Sequence, residues 1–267
     1  MGSDFLVLVL GGTSDSIKIC ELINKKGFCN RYILSVTTEY GKDLAEGKVQ
    51  QIHLGKMTEE DMEKFIMENK ISFIIDATHP YATEVSKNAI KAAETTDTGY
   101  IRYERKSLLE EIDYKGCRFS DSIDEMCEIA KNGGYKRILI GTGSKNLAKY
   151  RENLPGIELF PRVLPTSEVI IECEKLGFNA DNIIAMKGPF SKEMNVEMIK
   201  HYDIELMLTK ESGAAGGFLE KIDACEECGI DVLVLKRQRM DYPNQTSELK
   251  DIEDILDIWK DEAKFDC

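Results

Sequence analysis

The amino-acid sequence predicts an α/β protein built as two Rossmann-like three-layer domains, with mainly parallel sheets and an interdomain cleft. Three observations carry the prediction. Short aliphatic runs alternate with longer amphipathic stretches from end to end, as βαβ units require. Several runs stop at glycine-containing turns that lead into a helix-like stretch. The length, 267 residues, suffices for two modest cores.

In the first part, strands are expected at Phe5–Leu10, Tyr32–Val36, Val49–His53, Phe73–Asp76 and Tyr100–Tyr103. Helices are expected at Asp15–Lys25, at Thr58–Asn69, where Thr58 and Asp61 have the spacing of a capping box, and at Thr83–Ala93. A polar connection around Glu110–Lys115 then separates residues 1–115, read as a dinucleotide-binding domain, from residues 116–267. In the second part the strands are Arg137–Ile140, Glu158–Phe160, Ile183–Met186, Leu206–Leu208 and Val232–Leu235. The helices between them are Ile123–Lys131, Ser167–Leu176, Lys192–His201 and Gly217–Glu227. Glu248–Lys260, which carries the single tryptophan, Trp259, is expected to close the second domain as its last helix.

Composition excludes several classes. A formal charge of −13 argues against non-specific nucleic-acid binding, which needs a basic footprint on phosphates. A local cluster of cations can still hold a small anion. No apolar run is long enough to cross a bilayer, and Phe5–Leu10 is too short for a signal peptide, so a cytoplasmic protein with no membrane partner is expected. The eight cysteines are scattered and read as free thiols. Cys225 and Cys228 form a lone CxxC late in a helix, whereas redox motifs sit at helix starts, and no second ligand pair makes it a zinc site. No metal site is expected.

The first strand ends in Gly11-Gly12-Thr13-Ser14-Asp15. Glycines there permit a tight turn and close approach of phosphate oxygens, and the helix N-terminus adds N–H donors and a favourable dipole. The turn departs from GxGxxG, and its plainer reading is an ordinary helix cap. The second strand runs into Thr37 and Thr38 instead of the acidic residue that binds an NAD ribose, with Lys42 nearby and Glu39 one residue on. NADPH is favoured as cofactor, with NADH possible. The fourth strand ends in Ala77-Thr78-His79-Pro80-Tyr81, and such a cluster is either a turn or the edge of a site. His79 is one of three histidines; His53 and His201 read as structural or surface residues.

Ligands of open parallel sheets sit outside the carboxyl ends of the strands. Every expected strand from the fifth onward is followed by a cation: Arg102 and Arg105, Lys145, Arg162, Lys187, Lys210, then Lys236 with Arg237. Each alone has a bland explanation as a solvated loop residue. The repetition in so acidic a chain points to a polyanion, which arginine grips bidentately. Thr142, Gly143 and Ser144 after Gly141, and Ser212 and Gly213 before Ala214-Ala215-Gly216-Gly217, are glycine turns that read equally as anion nests or as simple turns.

LGGTSDS, IDATHPYA, RYER, GTGS, KGPFS and TKESG, in that order along nearly the whole chain, resemble the precorrin-6A and cobalt-precorrin-6A reductase family of cobalamin biosynthesis. The resemblance implies an oxidoreductase acting on a CH-CH bond with NAD(P)H as donor. It implies hydride delivery to C19 and a proton to C18 of a contracted-ring tetrapyrrole, giving precorrin-6B or its cobalt form. The cofactor set is then Gly11, Gly12, Thr13, Ser14, Asp15, Thr37, Thr38, Ala77 and Thr78. The catalytic candidates are His79 and Tyr81, which position the macrocycle or donate the proton, a role solvent or a substrate carboxyl also fills. The polycarboxylate substrate takes Arg102, Arg105, Thr142, Gly143, Ser144, Arg162, Lys187, Ser191, Lys210, Ser212 and Gly213, mostly on second-domain loops. Transient contact with neighbouring pathway enzymes is a further expectation. Ala214-Ala215 and Gln238 depart from the family pattern. The alternatives are another NADPH-dependent Rossmann reductase, although Tyr81 lacks the lysine four residues on, or a non-catalytic dinucleotide sensor, which needs no second, cationic face.

Overall fold

The computed structural model describes residues 5–213 and 216–265; Ala214 and Ala215 of the second glycine turn lie outside them. The chain divides into two compact units, residues 1–106 with 238–267, and residues 107–237. The division after Lys106 lies nine residues before the expected one, and the C-terminal segment belongs to the first unit. That corrects the expectation of a closing helix in the second domain.

The first unit holds a six-stranded sheet of β1 (Leu6–Leu10), β2 (Tyr32–Val36), β3 (Ile52–Leu54), β4 (Ile71–Asp76), β5 (Gly99–Tyr103) and β12 (Gln245–Thr246), in the order β12-β5-β4-β1-β2-β3. Every pairing is parallel. Alternation along β1 sends Val7 and Val9 into one buried layer and Leu8 and Leu10 into the other. On the first side α1 (Ser14–Lys25) buries Ile19, Cys20 and Ile23, and α10 (Leu249–Phe265) buries Ile252 and Leu256, with Trp259 against Phe5 and Phe73. On the other side lie Met62 and Ile66 of α3 (Glu59–Asn69) and Ala89, Ala92 and Ala93 of α4 (Thr83–Thr96). Each large apolar side chain buried this way contributes about 1.5–3 kcal/mol. α2 (Glu39–Ala45) is a short helix that the sequence reading omits. The Thr58 capping box forms as expected, with Asp61 reaching back to the Thr58 N–H at 3.1 Å.

The second unit repeats the plan with β6 (Cys117–Ser120), β7 (Arg137–Ile140), β8 (Glu158–Val163), β9 (Ile184–Ala185), β10 (Leu206–Lys210) and β11 (Asp231–Leu235), ordered β6-β11-β10-β7-β8-β9, again all parallel. One face carries α5 (Ile123–Asn132), α6 (Leu147–Asn153) and α7 (Ser167–Lys175) over Ile138, Ile140 and Leu208; the other carries α8 (Lys192–His201) and α9 (Phe218–Cys228) over Leu139, Met207 and Val232. In each unit the middle strands, β1 with β4 and β7 with β10, are neighbours whose following connections run to opposite sides. Each pair is therefore the switch point where ligands of such sheets bind. All seven cysteines among the described residues are free thiols, and Cys225 is buried on α9.

Candidate functional site

At the first switch point the glycine turn and the end of β4 are joined directly. Thr13 Oγ1 donates to the Ala77 carbonyl at 2.8 Å and accepts from Ser16 N at 3.1 Å, so one hydroxyl caps α1 and pins it to the neighbouring strand exit. Gly11 is required by space, since a Cβ there would lie 2.5 Å from Leu34 Cδ1 and 2.8 Å from Ser16 Oγ. Gly12 has φ +101°, and a Cβ there would meet nothing within 4 Å. The turn therefore offers an open, positive-φ backbone beside the N-terminus of a twelve-residue helix, which fits a dinucleotide's phosphates. Arg105 reaches over the same turn, paired with Asp15 and hydrogen-bonded to Ser14 Oγ at 3.4 Å. Its charge belongs to the glycine turn, not to the cationic strand exits of the second unit. Thr38 caps α2 by accepting from Gly41 N at 3.1 Å, and both Thr37 and Thr38 are exposed at the end of β2.

Arg102 does not fit the substrate role read from the sequence. Its side chain is 1 % exposed: Nη1 donates to Asp76 Oδ1 at 2.8 Å and to Thr78 Oγ1 at 2.9 Å, while Nε and Nη2 bind Glu104 Oε2 at 3.0 and 2.8 Å. Asp76 is fully buried and also accepts from Thr78 Oγ1 (2.7 Å), Ser86 Oγ (2.6 Å) and Tyr100 OH (2.8 Å). Burial, followed by the Asp76 charge, raises the Tyr100 phenol well above its usual range, so it stays a donor. This network is a structural girder under the β4 exit. Its Asp76, Ser86 and Tyr100 escape sequence reading, and Thr78 spends its hydroxyl within it.

Beyond the girder, His79, Pro80 and Tyr81 lie half-buried ahead of α4. His79 Nδ1 accepts from Tyr81 N at 3.3 Å, an arrangement in which the ring's N–H sits on Nε2. The two rings stand 5.5 Å apart.

At the second switch point Gly141 N donates to the Leu208 carbonyl at 2.7 Å, and Gly143 has φ +90°. Thr142 is buried, and Ser144 opens a short 3-10 turn. Arg162 near the end of β8 is 6 % exposed, yet its contacts are neutral: Nη1 donates to Asn195 Oδ1 at 2.7 Å, and the guanidinium lies over the Phe190 ring at 4.3 Å. The loop Lys187–Ser191 thus supplies the platform for Arg162, and Ser191 caps α8 by accepting from Met194 N at 3.3 Å. Lys187 itself is exposed. Lys210 ends β10 half-buried, its pKa lowered by burial and by Lys145. Ser212 and Gly213 follow it, with Ser212 Oγ 3.4 Å from the Gly216 carbonyl. Glu211 is committed to Arg237 Nε at 3.1 Å. The sequence reading misses Asn195 and Phe190, which hold Arg162, and the buried Lys221 of α9. Among the described residues no group of acidic, histidine or cysteine side chains could hold a metal ion, and no helix is long and apolar enough to cross a membrane.

Known proteins are similar along almost the whole length. The family described as precorrin-6x reductase CbiJ/CobK matches residues 6–260. The chain is 39 % identical over 231 residues to the cobalt-precorrin-6A reductase of Salmonella typhimurium, covering 86 % of this chain and 87 % of that one. It is 35 % identical over 252 residues to the cobalt-precorrin-6A reductase of Priestia megaterium, covering 92 % and 96 %. In fold it is similar to a solved structure of CobK precorrin-6A reductase, with a TM-score of 0.78 at 19 % identity over 95 % of this chain and 97 % of that one. A match of this extent, on two parallel sheets of the same plan, shows that the chain belongs to the precorrin-6x reductase family of oxidoreductases.

Proposed function

We propose that the protein is a cobalt-precorrin-6A reductase that uses NADPH to reduce the macrocycle to cobalt-precorrin-6B, with hydride going to C19 and a proton to C18. The relatives named cobalt-precorrin-6A reductase are 27–39 % identical, and two named precorrin-6A reductase are 22 % identical. That gradient favours the cobalt-containing substrate. The observation that carries the cofactor half of the reading is the Thr13–Ala77 bond across the β1/β4 switch point.

NADPH when bound supplies the hydride. The chain's own residues bind and orient. Gly11, Gly12 and the first turn of α1 hold the phosphates, with Thr13 fixing the turn and Arg105, paired with Asp15, bracing it; Thr37 and Thr38 admit a ribose phosphate where a carboxylate would repel it. The Asp76–Arg102 girder keeps Ala77 and Thr78 in place, so that His79 and Tyr81 face the reacting ring and His79 Nε2 is positioned to donate a hydrogen bond, the proton coming from solvent or a substrate carboxyl. Arg162, Lys210 and the turns at 141–144 and 212–213 hold acetate and propionate carboxylates.

The test is anaerobic incubation of the purified protein with NADPH or NADH and with cobalt-precorrin-6A or metal-free precorrin-6A. Oxidation of NADPH coupled to a two-hydrogen mass gain in the cobalt pigment is expected. Turnover of the metal-free pigment alone would overturn the substrate assignment, and no turnover with either would overturn the reductase reading.

A further inference from the structure

The second unit carries a buried charge problem that its own fold does not solve. Arg162 and Lys221 are 6 % and 7 % exposed. Lys221 stands on the apolar face of α9, three residues after Phe218 and four before Cys225, both buried. Its Nζ donates to the Gly216 carbonyl at 2.8 Å and lies 3.5 Å from Ser212 Oγ, both neutral acceptors. From β8 Arg162 faces it and from β10 Lys210, both cations. On its own helix Glu220 acts in the opposite sense, more weakly, and from α8 the nearby polar group is the neutral Asn195, already bound to Arg162. Glu211 is paired with Arg237. Among the described residues neither Arg162 nor Lys221 forms an ion pair with a carboxylate.

A second observation marks the same place. Thr209 is fully buried, and its hydroxyl finds no partner among the described residues. A Cβ built on Gly141 would lie 3.6 Å from Arg162 Nη2 and 3.8 Å from Thr209 Oγ1. The backbone of Gly141 therefore lies close to a guanidinium edge and an uncommitted hydroxyl, with the Leu208 carbonyl oxygen 3.2 Å from the same Cβ position. Arg162 spends its hydrogen bonds from Nη1, so Nη2 is available to an oxyanion.

Buried like charges disfavour each other, and desolvation disfavours both. Burial first, then Arg162 and Lys210, pushes the Lys221 ammonium down to about 7; burial likewise brings Arg162 to about 10. A carboxylate entering beside Arg162 opposes this at Lys221, by cancelling a neighbouring positive charge and by adding a negative one.

Resting on the reductase reading above, we propose that Lys221 is a substrate-binding residue that takes up a proton from solvent when an acetate or propionate carboxylate of the macrocycle pairs with Arg162. No bond beyond N–H forms, and the proton comes from the buffer. Binding of the substrate is then a proton-uptake reaction, and its affinity falls with rising pH although the substrate's carboxylates stay ionised.

The test is calorimetric titration of the protein, without reduced cofactor and under anaerobic conditions, with cobalt-precorrin-6A at pH 8 in HEPES and in Tris, whose ionisation enthalpies differ. Uptake of about one proton per macrocycle is expected, with affinity falling about tenfold per pH unit between pH 8 and 9. Lys221→Arg, charged throughout, is expected to bind with no uptake and a flat pH dependence; Lys221→Met is expected to show no uptake. Binding by the wild type with the same heat in both buffers would overturn the proposal while sparing the reductase reading. Uptake retained in Lys221→Arg would overturn it as well. No binding in either buffer would overturn both. The wild-type measurement is decisive even if a variant does not fold.

Discussion

Arg102→Met removes the counterion of two carboxylates at once. Asp76 and Arg102 are 0 % and 1 % exposed and paired at 2.8 Å, and Glu104 is held by the same guanidinium at 2.8 Å. Taking one partner from a buried pair costs about 3–5 kcal/mol, because the remaining charge is left in a poorly polarisable interior. Hydrogen bonds from Thr78, Ser86 and Tyr100 keep the Asp76 carboxylate partly satisfied, so the lower part of that range is expected. Trp259 is the single tryptophan and packs at 4.1 Å from Phe5 and 5.0 Å from Phe73, within the first unit. Its fluorescence therefore reports that unit's unfolding in urea, where such a loss moves the midpoint down by about 1–2 M. Arg102→Lys keeps one contact of the fork and is expected to fall between wild type and Met. A Trp259 transition that stays put in Arg102→Met, together with a tenfold or greater rise in the macrocycle's KM, would refute the structural role and restore Arg102 to the substrate site.

Gly11→Ala places a methyl against Leu34 Cδ1 and Ser16 Oγ; it is expected to weaken NADPH binding about tenfold while macrocycle binding is unchanged, and equal losses for both ligands would count against the glycine turn as the cofactor site. His79→Ala is expected to lower turnover more than it raises KM, whereas unchanged turnover would remove the His79 Nε2 hydrogen bond from the reaction. The lowered Lys221 pKa also has a sign for stability. Between about 7 and its ordinary value near 10.4 the unfolded chain binds a proton that the folded chain does not, so stability rises with pH through that window. Circular dichroism in urea should therefore show the second unit of the wild type gaining resistance from pH 7 to pH 9.5, with Lys221→Met lacking that gain; parallel curves would mean that Lys221 is charged in the folded protein.

The parallel plan was legible because buried strands of such sheets are uninterrupted aliphatic runs, and runs such as Arg137–Ile140 and the helix Lys192–His201 keep the expected bounds. Edge strands lack that signal. β6 exposes Arg118 and Phe119, and β12 is the two residues Gln245–Thr246, held to β5 by Arg102 N to Asn244 O and Glu104 N to Thr246 O, both 2.9 Å. The amphipathic pattern of α10 shows that Ile252 and Leu256 must be buried, but periodicity cannot name the surface that covers them. The middle strands do run into the glycine turns, yet a count of cations could not separate Arg102 from Arg162. The distinction lies across the sheet: Asp76 is in register with Arg102 on the adjacent strand, while the residue in register with Arg162 is Ile184. An aspartate closing an aliphatic strand, and a lysine in the apolar stripe of α9, were the available signals for the girder and for Lys221.

The two units share a strand order and differ in how their switch points are charged. In the first, both arginines behind and above the glycine turn are matched by acids, Arg102 by Asp76 and Glu104 and Arg105 by Asp15. Those pairs fix geometry and leave the ligand to meet backbone N–H groups, which suits a cofactor that must be held in one orientation. In the second, Arg162 and Lys221 are buried beside neutral acceptors and a phenyl ring, in a chain whose net charge of −13 shows no shortage of carboxylates. A surplus of acid, with no carboxylate ion-paired to Arg162 or Lys221 among the described residues, means that folding alone does not account for the arrangement: apolar residues of equal volume would be as stable or more so. The imbalance has a physical use if the counterion arrives with the substrate. The desolvation already incurred in folding then makes each incoming carboxylate bind more tightly than it would at a solvated lysine, and discriminates against macrocycles whose carboxylates are absent or misplaced, since those leave the buried cations unmatched.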